Sequence, residues 1–164
     1  MKKAVVLLLL ALTGRCVQAQ TPAPCDTEGH RQFHFWVGDW AVFDTSGVQV
    51  GENRVDLILN DCVLAENWTA SAGSEGKSFN SYDPSTNTWS QTWVDGAGST
   101  LSFKGHWKED RMVFMGQGHN HQGPIYYRMN FIPQEDGSVV QHWAASSDLE
   151  EWQTLFYGIY RRKP

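Results

Sequence analysis

Polar side chains stand two positions from tryptophans on several short runs of this chain. Glu66 is followed two residues later by Trp68, and Gln91 is followed two residues later by Trp93. Successive side chains on a β-strand point to opposite faces, so each of these pairs would share one face. This parity groups together Glu66, Trp68, Asn80, Tyr82, Gln91, Trp93, Arg128, Gln141 and Trp143. Charged and amide groups among aromatic rings can recognise a small molecule through hydrogen bonds and ring contacts.

The alternate residues of these runs favour an inward direction for the tryptophans. Ala65, Asn67 and Thr69 alternate with Glu66 and Trp68, and small polar faces of this kind are typical of solvent-exposed positions. Polar groups that point inward must pair with one another, with water or with a ligand, because an unpaired buried polar group is costly. The pattern therefore predicts either a ligand site or an internal polar network that fixes the register of the strands.

The run that contains Arg128 allows two directions. In the first, Arg128 points inward and pairs with Glu66 in the internal network. In the second, the apolar alternate residues Tyr127, Met129 and Phe131 point inward instead. We include Arg128 in the candidate set and leave the second direction open.

Ten short alternating runs must position these side chains. They are separated by clusters of Gly, Asn, Asp and Pro, which are typical of turns. No connection is long enough for a helical crossover, so neighbouring strands should pair antiparallel and close into an up-and-down barrel. A helical turn around residues 28–35 precedes the first strand and could plug one mouth of the barrel. The predicted strands cover residues 39–44, 51–59, 62–70, 77–83, 88–94, 100–107, 112–119, 125–132, 138–145 and 152–161.

The first 19 residues have the pattern of a cleaved secretory signal peptide. Lys2 and Lys3 precede an apolar run at residues 4–12, which is too short to span a membrane as a helix, and residues 17–19 resemble a cleavage site. We therefore divide the chain into a signal peptide (1–19), a leader segment (20–30) and a barrel domain (31–164). The predicted destination is the bacterial periplasm or exterior, with no membrane span in the mature chain.

The cysteines and the charge agree with that destination. Cleavage leaves Cys25 and Cys62, which should form one disulfide in an oxidising compartment. Cleavage also removes three basic residues, so 10 basic and 18 acidic side chains remain, a net charge of −8. Such a chain has no basic surface for nucleic acid, and we expect no nucleic-acid partner. The sequence carries no signal for an oligomeric state.

Five motifs resemble an uncharacterised family of small secreted bacterial proteins, classed as a domain of unknown function. They are F-H-F-W-V-G-D-W at 33–40, C-V-L-A-E-N-W at 62–68, S-F-N-S-Y-D at 78–83, Q-T-W-V-D at 91–95 and Q-H-W at 141–143. More distantly, Gly38-x-Trp40 is similar to the opening of lipocalin and nitrobindin-type barrels, the calycins. That resemblance implies a closed barrel end at Trp40, with a basic residue of the last strand packed on the indole, here Arg161.

Histidines offer only weak candidates for metal or haem sites. His119 and His121 stand at a strand end, and His30 and His34 are spaced as on one helical turn, but neither pair has a third ligand nearby in sequence. His142 is the nearest haem-ligand candidate, and the inward parity of its neighbours turns it outward. We therefore expect no cofactor.

Three functions remain compatible with this pattern. The first is an exported, non-enzymatic barrel that binds a small molecule in its lumen. The second is an enzyme that uses Glu66 as general acid or base, with Asp83 or Asp95 as a possible partner. The third is a structural or interaction module of the cell envelope whose barrel is filled.

Overall fold

A computed structural model describes residues 24–164 as a closed barrel of ten antiparallel strands. Each strand pairs with its neighbours in sequence, and β1 also pairs with β10 to close the sheet. The strands are β1 (Gly38–Phe43), β2 (Gln49–Ile58), β3 (Val63–Ala70), β4 (Glu75–Asp83), β5 (Thr88–Asp95), β6 (Thr100–Lys108), β7 (Arg111–Asn120), β8 (Gly123–Pro133), β9 (Val139–Ser146) and β10 (Gln153–Arg162). The predicted up-and-down barrel is confirmed, and every predicted strand end lies within two residues of its position in the structure.

The helical turn that the sequence predicts before β1 is present in the structure as two short pieces. A single helical turn, α1 (Glu28–Arg31), is followed by a 3₁₀ turn (His34–Trp36). The signal peptide predicted at residues 1–19, its cleavage site and the beginning of the leader lie outside the described residues. No helix among residues 24–164 is long and apolar enough to cross a membrane.

The segment before β1 closes one end of the barrel with aromatic rings. Phe33 and Trp36 are fully buried and stack on each other, with ring centroids 4.9 Å apart. Phe33 also contacts Trp89 and Phe131 inside the barrel, at centroid distances of 5.7 and 5.0 Å. Burial of several rings contributes a large part of the folding free energy of a domain of this size. We call this region the closed half of the barrel.

Trp40 belongs to the closed half and carries a cation on its indole, but the cation is not the predicted one. The Arg162 guanidinium lies 4.4 Å from the Trp40 ring centroid and donates a hydrogen bond to the Val37 carbonyl. Arg161 instead packs on Phe43 at the outer surface. The prediction for Arg161 is wrong by one residue, because Trp40 lies opposite Arg162 in the β1–β10 register and opposite residues share a face.

The predicted disulfide between Cys25 and Cys62 is confirmed. Cys62 follows β2 in the turn that leads to β3, at the same end of the barrel as the helical segment. The bond therefore ties the segment before β1 to the barrel end that it covers.

Aspartates hold several of the hairpin turns. Asp44 Oδ1 accepts hydrogen bonds from the Ser46 hydroxyl at 2.7 Å and from the amides of Val48 and Ser46, both at 2.9 Å, and these bonds lower the pKa of the Asp44 carboxyl. Gly47 takes a φ of +85° in the same turn, a conformation that glycine adopts without steric cost. Short turns whose backbone amides are hydrogen-bonded in this way keep neighbouring strands in register.

Candidate functional site

The end of the barrel opposite the helical segment contains a cavity of about 220 Å³. Its walls are the apolar side chains of Trp68, Trp93, Trp143, Phe103, Phe156, Leu101, Met129 and Leu155. Its polar groups come from Glu66, Gln91, Gln141 and Tyr160. Leu155 is 48% exposed, which places it at the mouth. We call the cavity and its lining the open half of the barrel.

Glycines on adjacent strands hold two of the tryptophans against the barrel wall. A Cβ atom at Gly76 would lie 2.1 Å from the nearest atom of the Trp93 ring, and one at Gly51 would lie 2.5 Å from the Trp68 ring. Each indole therefore occupies the volume that a side chain on the neighbouring strand would otherwise take. This arrangement keeps the lumen between the rings open.

Glu66 lies in β3 with its carboxyl group buried in the lumen. Its Oε2 accepts a hydrogen bond from the Ser78 hydroxyl at 2.6 Å, and its Oε1 accepts one from the Asn53 amide at 2.9 Å. Burial raises the pKa of Glu66 from 4.5 to about 7, and the two hydrogen bonds offset only part of that rise. At neutral pH this carboxyl group can therefore both accept and donate a proton.

Hydrogen bonds continue from Glu66 across the next two strands. Gln91 donates to Asn80 Oδ1 at 2.7 Å, and Asn80 donates to Ser78 Oγ at 2.9 Å. Ser78 then donates to Glu66, so each donor in the chain points towards the carboxyl group. Gly76, Ser78 and Asn80 alternate on the inner face of β4, which is why these residue types can form one continuous network.

A second polar group faces the first from β9 and β10. The Tyr160 hydroxyl donates to Gln141 Oε1, and the Gln141 amide contacts the Met129 sulfur at 2.9 Å. Burial raises the pKa of Tyr160 well above its usual value, and the nearby Glu66 charge raises it further. Tyr160 is thus a neutral hydrogen-bonding group at physiological pH.

Two buried polar atoms near the cavity have no hydrogen-bond partner among the described residues. They are Asn53 Oδ1, beside Glu66, and Trp143 Nε1, on a residue of the cavity wall. A buried donor or acceptor without a partner carries an energetic cost, which a ligand or a water molecule could remove.

The predicted set divides into four groups in the structure. Glu66, Trp68, Gln91, Trp93, Gln141 and Trp143 line the cavity. Asn80 belongs to the buried hydrogen-bond network behind it. Tyr82 does not reach the cavity: it contacts His30 and Trp89 towards the closed half and donates to Asn87.

Arg128 is the fourth case, and the inward direction predicted for it is wrong. Its guanidinium lies over Trp152, 4.3 Å from the ring centroid, and does not pair with Glu66. Met129 and Phe131 are buried inside the barrel, so Arg128 between them and Tyr127 must point to the opposite face. The alternative that the sequence left open for β8 is the one that the structure adopts.

Sequence reasoning missed three polar residues of the site. They are Ser78, Asn53 and Tyr160, none of which belongs to the predicted set, although Ser78 alternates with Asn80 on β4. Val55, two residues after Asn53 on β2, is almost fully buried, and this apolar parity was the available signal. For Tyr160 the corresponding signal was its shared parity with the aromatic residue Phe156 on β10.

The other candidate chemistry finds little support in the described residues. Asp83 and Asp95 lie at turns, where their carboxylates accept hydrogen bonds from residues such as Ser85 and Ser99. His142 points outward, as its parity predicts, and bonds to Thr154. Residues 24–164 contain no group of three or more His, Cys, Asp or Glu side chains that could hold a metal ion.

Comparison of the chain with protein-family models finds no match, and comparison with the curated proteins finds none either.

Proposed function

We propose that this protein is an exported barrel that binds a small molecule in its open half. The observation that carries the proposal is the cavity of about 220 Å³, with aromatic walls and a few polar groups. This combination is typical of sites for small organic ligands. The unpaired Trp143 Nε1 supports the proposal because a ligand acceptor would satisfy it.

The volume restricts the ligand to a small one. An apolar cavity of about 150 Å³ accepts benzene, and sites for drug-sized ligands begin at about 300 Å³. A cavity between these sizes suits one aromatic ring with a short substituent, or two fused rings. The disulfide supports export, since such bonds persist in oxidising compartments.

The first test is native mass spectrometry of the protein purified from its own host. A retained ligand adds a discrete mass that disappears on unfolding. A second test measures binding of 2-phenylethanol and 2-phenylethylamine by calorimetry. Leu101→Trp should abolish the binding of both compounds, because the new indole fills the cavity.

Ser102→Trp is the matched control, since residue 102 is the exposed neighbour of Leu101 on β6. It adds the same side chain to the outer face and should leave binding unchanged. Equal binding by wild type and Leu101→Trp would place the binding elsewhere and contradict the proposal. Absence of any retained mass together with absence of saturable binding by either compound would contradict it as well.

A second candidate function is general acid–base catalysis by Glu66. It is favoured by a carboxyl group that faces the cavity with a pKa of about 7, a value suited to proton transfer at neutral pH. Material retained by wild type and by Glu66→Gln in the host distinguishes the two functions. A binding protein retains a compound in wild type, and Glu66→Gln retains that same compound or less of it. An enzyme instead retains in Glu66→Gln a substrate that wild type does not hold, because wild type converts it to product.

A further inference from the structure

We infer that the ligand of the open half is an organic cation, an aromatic ring bearing an ammonium group that pairs with Glu66. This inference rests on the proposed binding function and adds the charge of the ligand to it. The ammonium group would lie at the Glu66 carboxylate, and the ring would lie among the tryptophans at the mouth.

Glu66 is a buried carboxyl group without a cation to pair with. The ion pairs of residues 24–164 lie at the surface, and none includes Glu66. Buried carboxylates are ordinarily paired, because desolvation of an isolated charge is costly. Arg128, the one basic residue that the sequence suggested as a partner, lies over Trp152 instead.

The groups that face Glu66 are neutral on every side. β2 contributes Asn53 and β4 contributes Ser78, both as hydrogen-bond donors. β10 contributes Tyr160, the other titratable group of the cavity, whose raised pKa keeps it neutral below pH 10. The remaining polar lining groups are the carboxamides of Gln91 and Gln141. These donors stabilise a carboxylate without neutralising it.

The hydrogen-bond pattern leaves acceptor capacity on the carboxyl group. Each Glu66 oxygen receives one hydrogen bond from the described residues, and a carboxylate oxygen can accept two. The chain from Gln91 through Asn80 and Ser78 donates towards Glu66 throughout, which favours the ionised form as the acceptor at its end. An ammonium donor would complete this arrangement.

The aromatic walls favour the same ligand charge. The π-faces of tryptophan attract cations, and aromatic cages are used to recognise ammonium groups. Trp68, Trp93 and Trp143 all border the cavity, and no Lys, Arg or His lines it among the described residues. The chain as a whole carries a formal net charge of −5, which attracts cationic ligands over anionic ones.

The experiment compares three probes of similar shape by calorimetry at pH 8. They are 2-phenylethylamine, 2-phenylethanol and 3-phenylpropionate, which are cationic, neutral and anionic. We expect the amine to bind about tenfold or more tightly than the alcohol, and the carboxylate not to bind. An alcohol that binds as tightly as the amine, or a carboxylate that binds best, would overturn the cation inference and leave the proposed binding function intact.

The pH dependence gives an independent readout on the unaltered protein. The amine stays protonated between pH 6 and pH 8, as a lysine side chain does. With a Glu66 pKa of about 7, the ionised fraction falls about tenfold between pH 8 and pH 6, and amine affinity should fall with it. Alcohol affinity should not fall. Amine affinity that does not change with pH would contradict a role for Glu66.

Glu66→Gln should remove most of the preference for the amine and all of its pH dependence. Glu135→Gln is the matched control, because residue 135 is exposed in the β8–β9 turn and its substitution changes the net charge equally. The control should behave as wild type. If Glu135→Gln reduces amine binding as much as Glu66→Gln, the effect comes from the overall charge and the inference is wrong. Failure of all three probes in wild type would instead count against the proposed binding function.

Discussion

The closed and open halves of this barrel use the same residue types for different purposes. In the closed half, Phe33, Trp36 and Trp89 pack on one another and are fully or almost fully buried. In the open half, Trp68 and Trp93 lie against the barrel wall and leave a cavity of about 220 Å³ between them. Aromatic content alone therefore does not identify a site. What distinguishes the open half is the buried polar network that its aromatic rings surround.

The largest expected effect is the loss of stability on removal of a tryptophan ring, which should be much greater in the closed half than in the open half. Trp36→Ala should lower the free energy of unfolding by about 5 kcal/mol, because a fully buried ring is replaced by a void in the closed half. Trp93→Ala should lower it by much less, since that ring already borders an open cavity. Urea unfolding of both variants measures the difference, and equal losses would show that the two halves do not differ in this way.

Removal of the disulfide should lower the stability of the protein through the closed half and leave the open half unchanged. The double variant with Cys25→Ser and Cys62→Ser releases a crosslink of sequence separation 37, which the chain-entropy relation values at about 4 kcal/mol. The helical segment then loses its covalent tie to the β2–β3 turn. Urea unfolding should show the loss of stability, while 2-phenylethylamine binds the folded variant as it binds wild type. Lost binding in a folded variant would indicate that the two halves are coupled.

Glu66 should make the stability of the fold decrease as pH rises, whereas ordinary acid denaturation makes stability decrease as pH falls. Because its folded pKa is raised from 4.5 to about 7, the folded state holds a proton that the unfolded state releases between these values. Stability should therefore fall as pH rises from 5 to 8, and the contribution of Glu66 amounts to about 3 kcal/mol over its full range.

Glu66→Gln isolates this contribution. The difference in unfolding free energy between the variant and wild type should grow with pH in favour of the variant. The subtraction removes the contribution of His34, whose pKa is lowered by burial and whose effect has the opposite sign. A difference that is independent of pH, or one that grows in favour of wild type, would indicate that Glu66 is ionised throughout and paired with a cation.

Substitution of Arg128 should have the smallest effect on stability and on ligand binding. Since it lies outside the barrel over Trp152, Arg128→Gln should leave the Glu66 pKa and amine binding unchanged. The expected loss of stability is about 1 kcal/mol or less, because the contact is at the outer surface. A carbon-detected titration of the Glu66 carboxyl group measures its pKa directly. A higher Glu66 pKa in Arg128→Gln than in wild type would show that Arg128 does pair with Glu66, as the sequence suggested.

Parity along each strand was sufficient to predict most of the inner face. Glu66 and Trp68 could be assigned because the alternate residues of β3 are small and polar, so only one direction buries the indole. On β8 the same reasoning failed, since both faces contain aromatic residues and Arg128 could belong to either. Position relative to the neighbouring strand, which a single sequence does not contain, decided the question: Met129 lies opposite Trp143.

The cavity itself could not be predicted from the sequence. Its volume depends on how rings from several strands pack, including the seating of Trp93 over Gly76. The sequence also leaves the direction of the Glu66 pKa shift open, since burial raises the pKa of a carboxyl group and a paired Arg128 would lower it. In the structure burial raises this pKa, because Glu66 is desolvated and its partners Ser78 and Asn53 are neutral groups whose hydrogen bonds offset only part of the rise.

The indole N–H signals of a ¹H–¹⁵N correlation spectrum test most directly whether the open half is the ligand site. The chain has eight tryptophans, three of which border the cavity and three of which are fully or almost fully buried in the closed half. On titration with 2-phenylethylamine at pH 8, we expect the signals of Trp68, Trp93 and Trp143 to shift together and saturably. The signals of Trp36, Trp40 and Trp89 should stay in place. Shifts confined to the closed half, or the absence of saturable shifts at the three cavity tryptophans, would contradict a binding site in the open half.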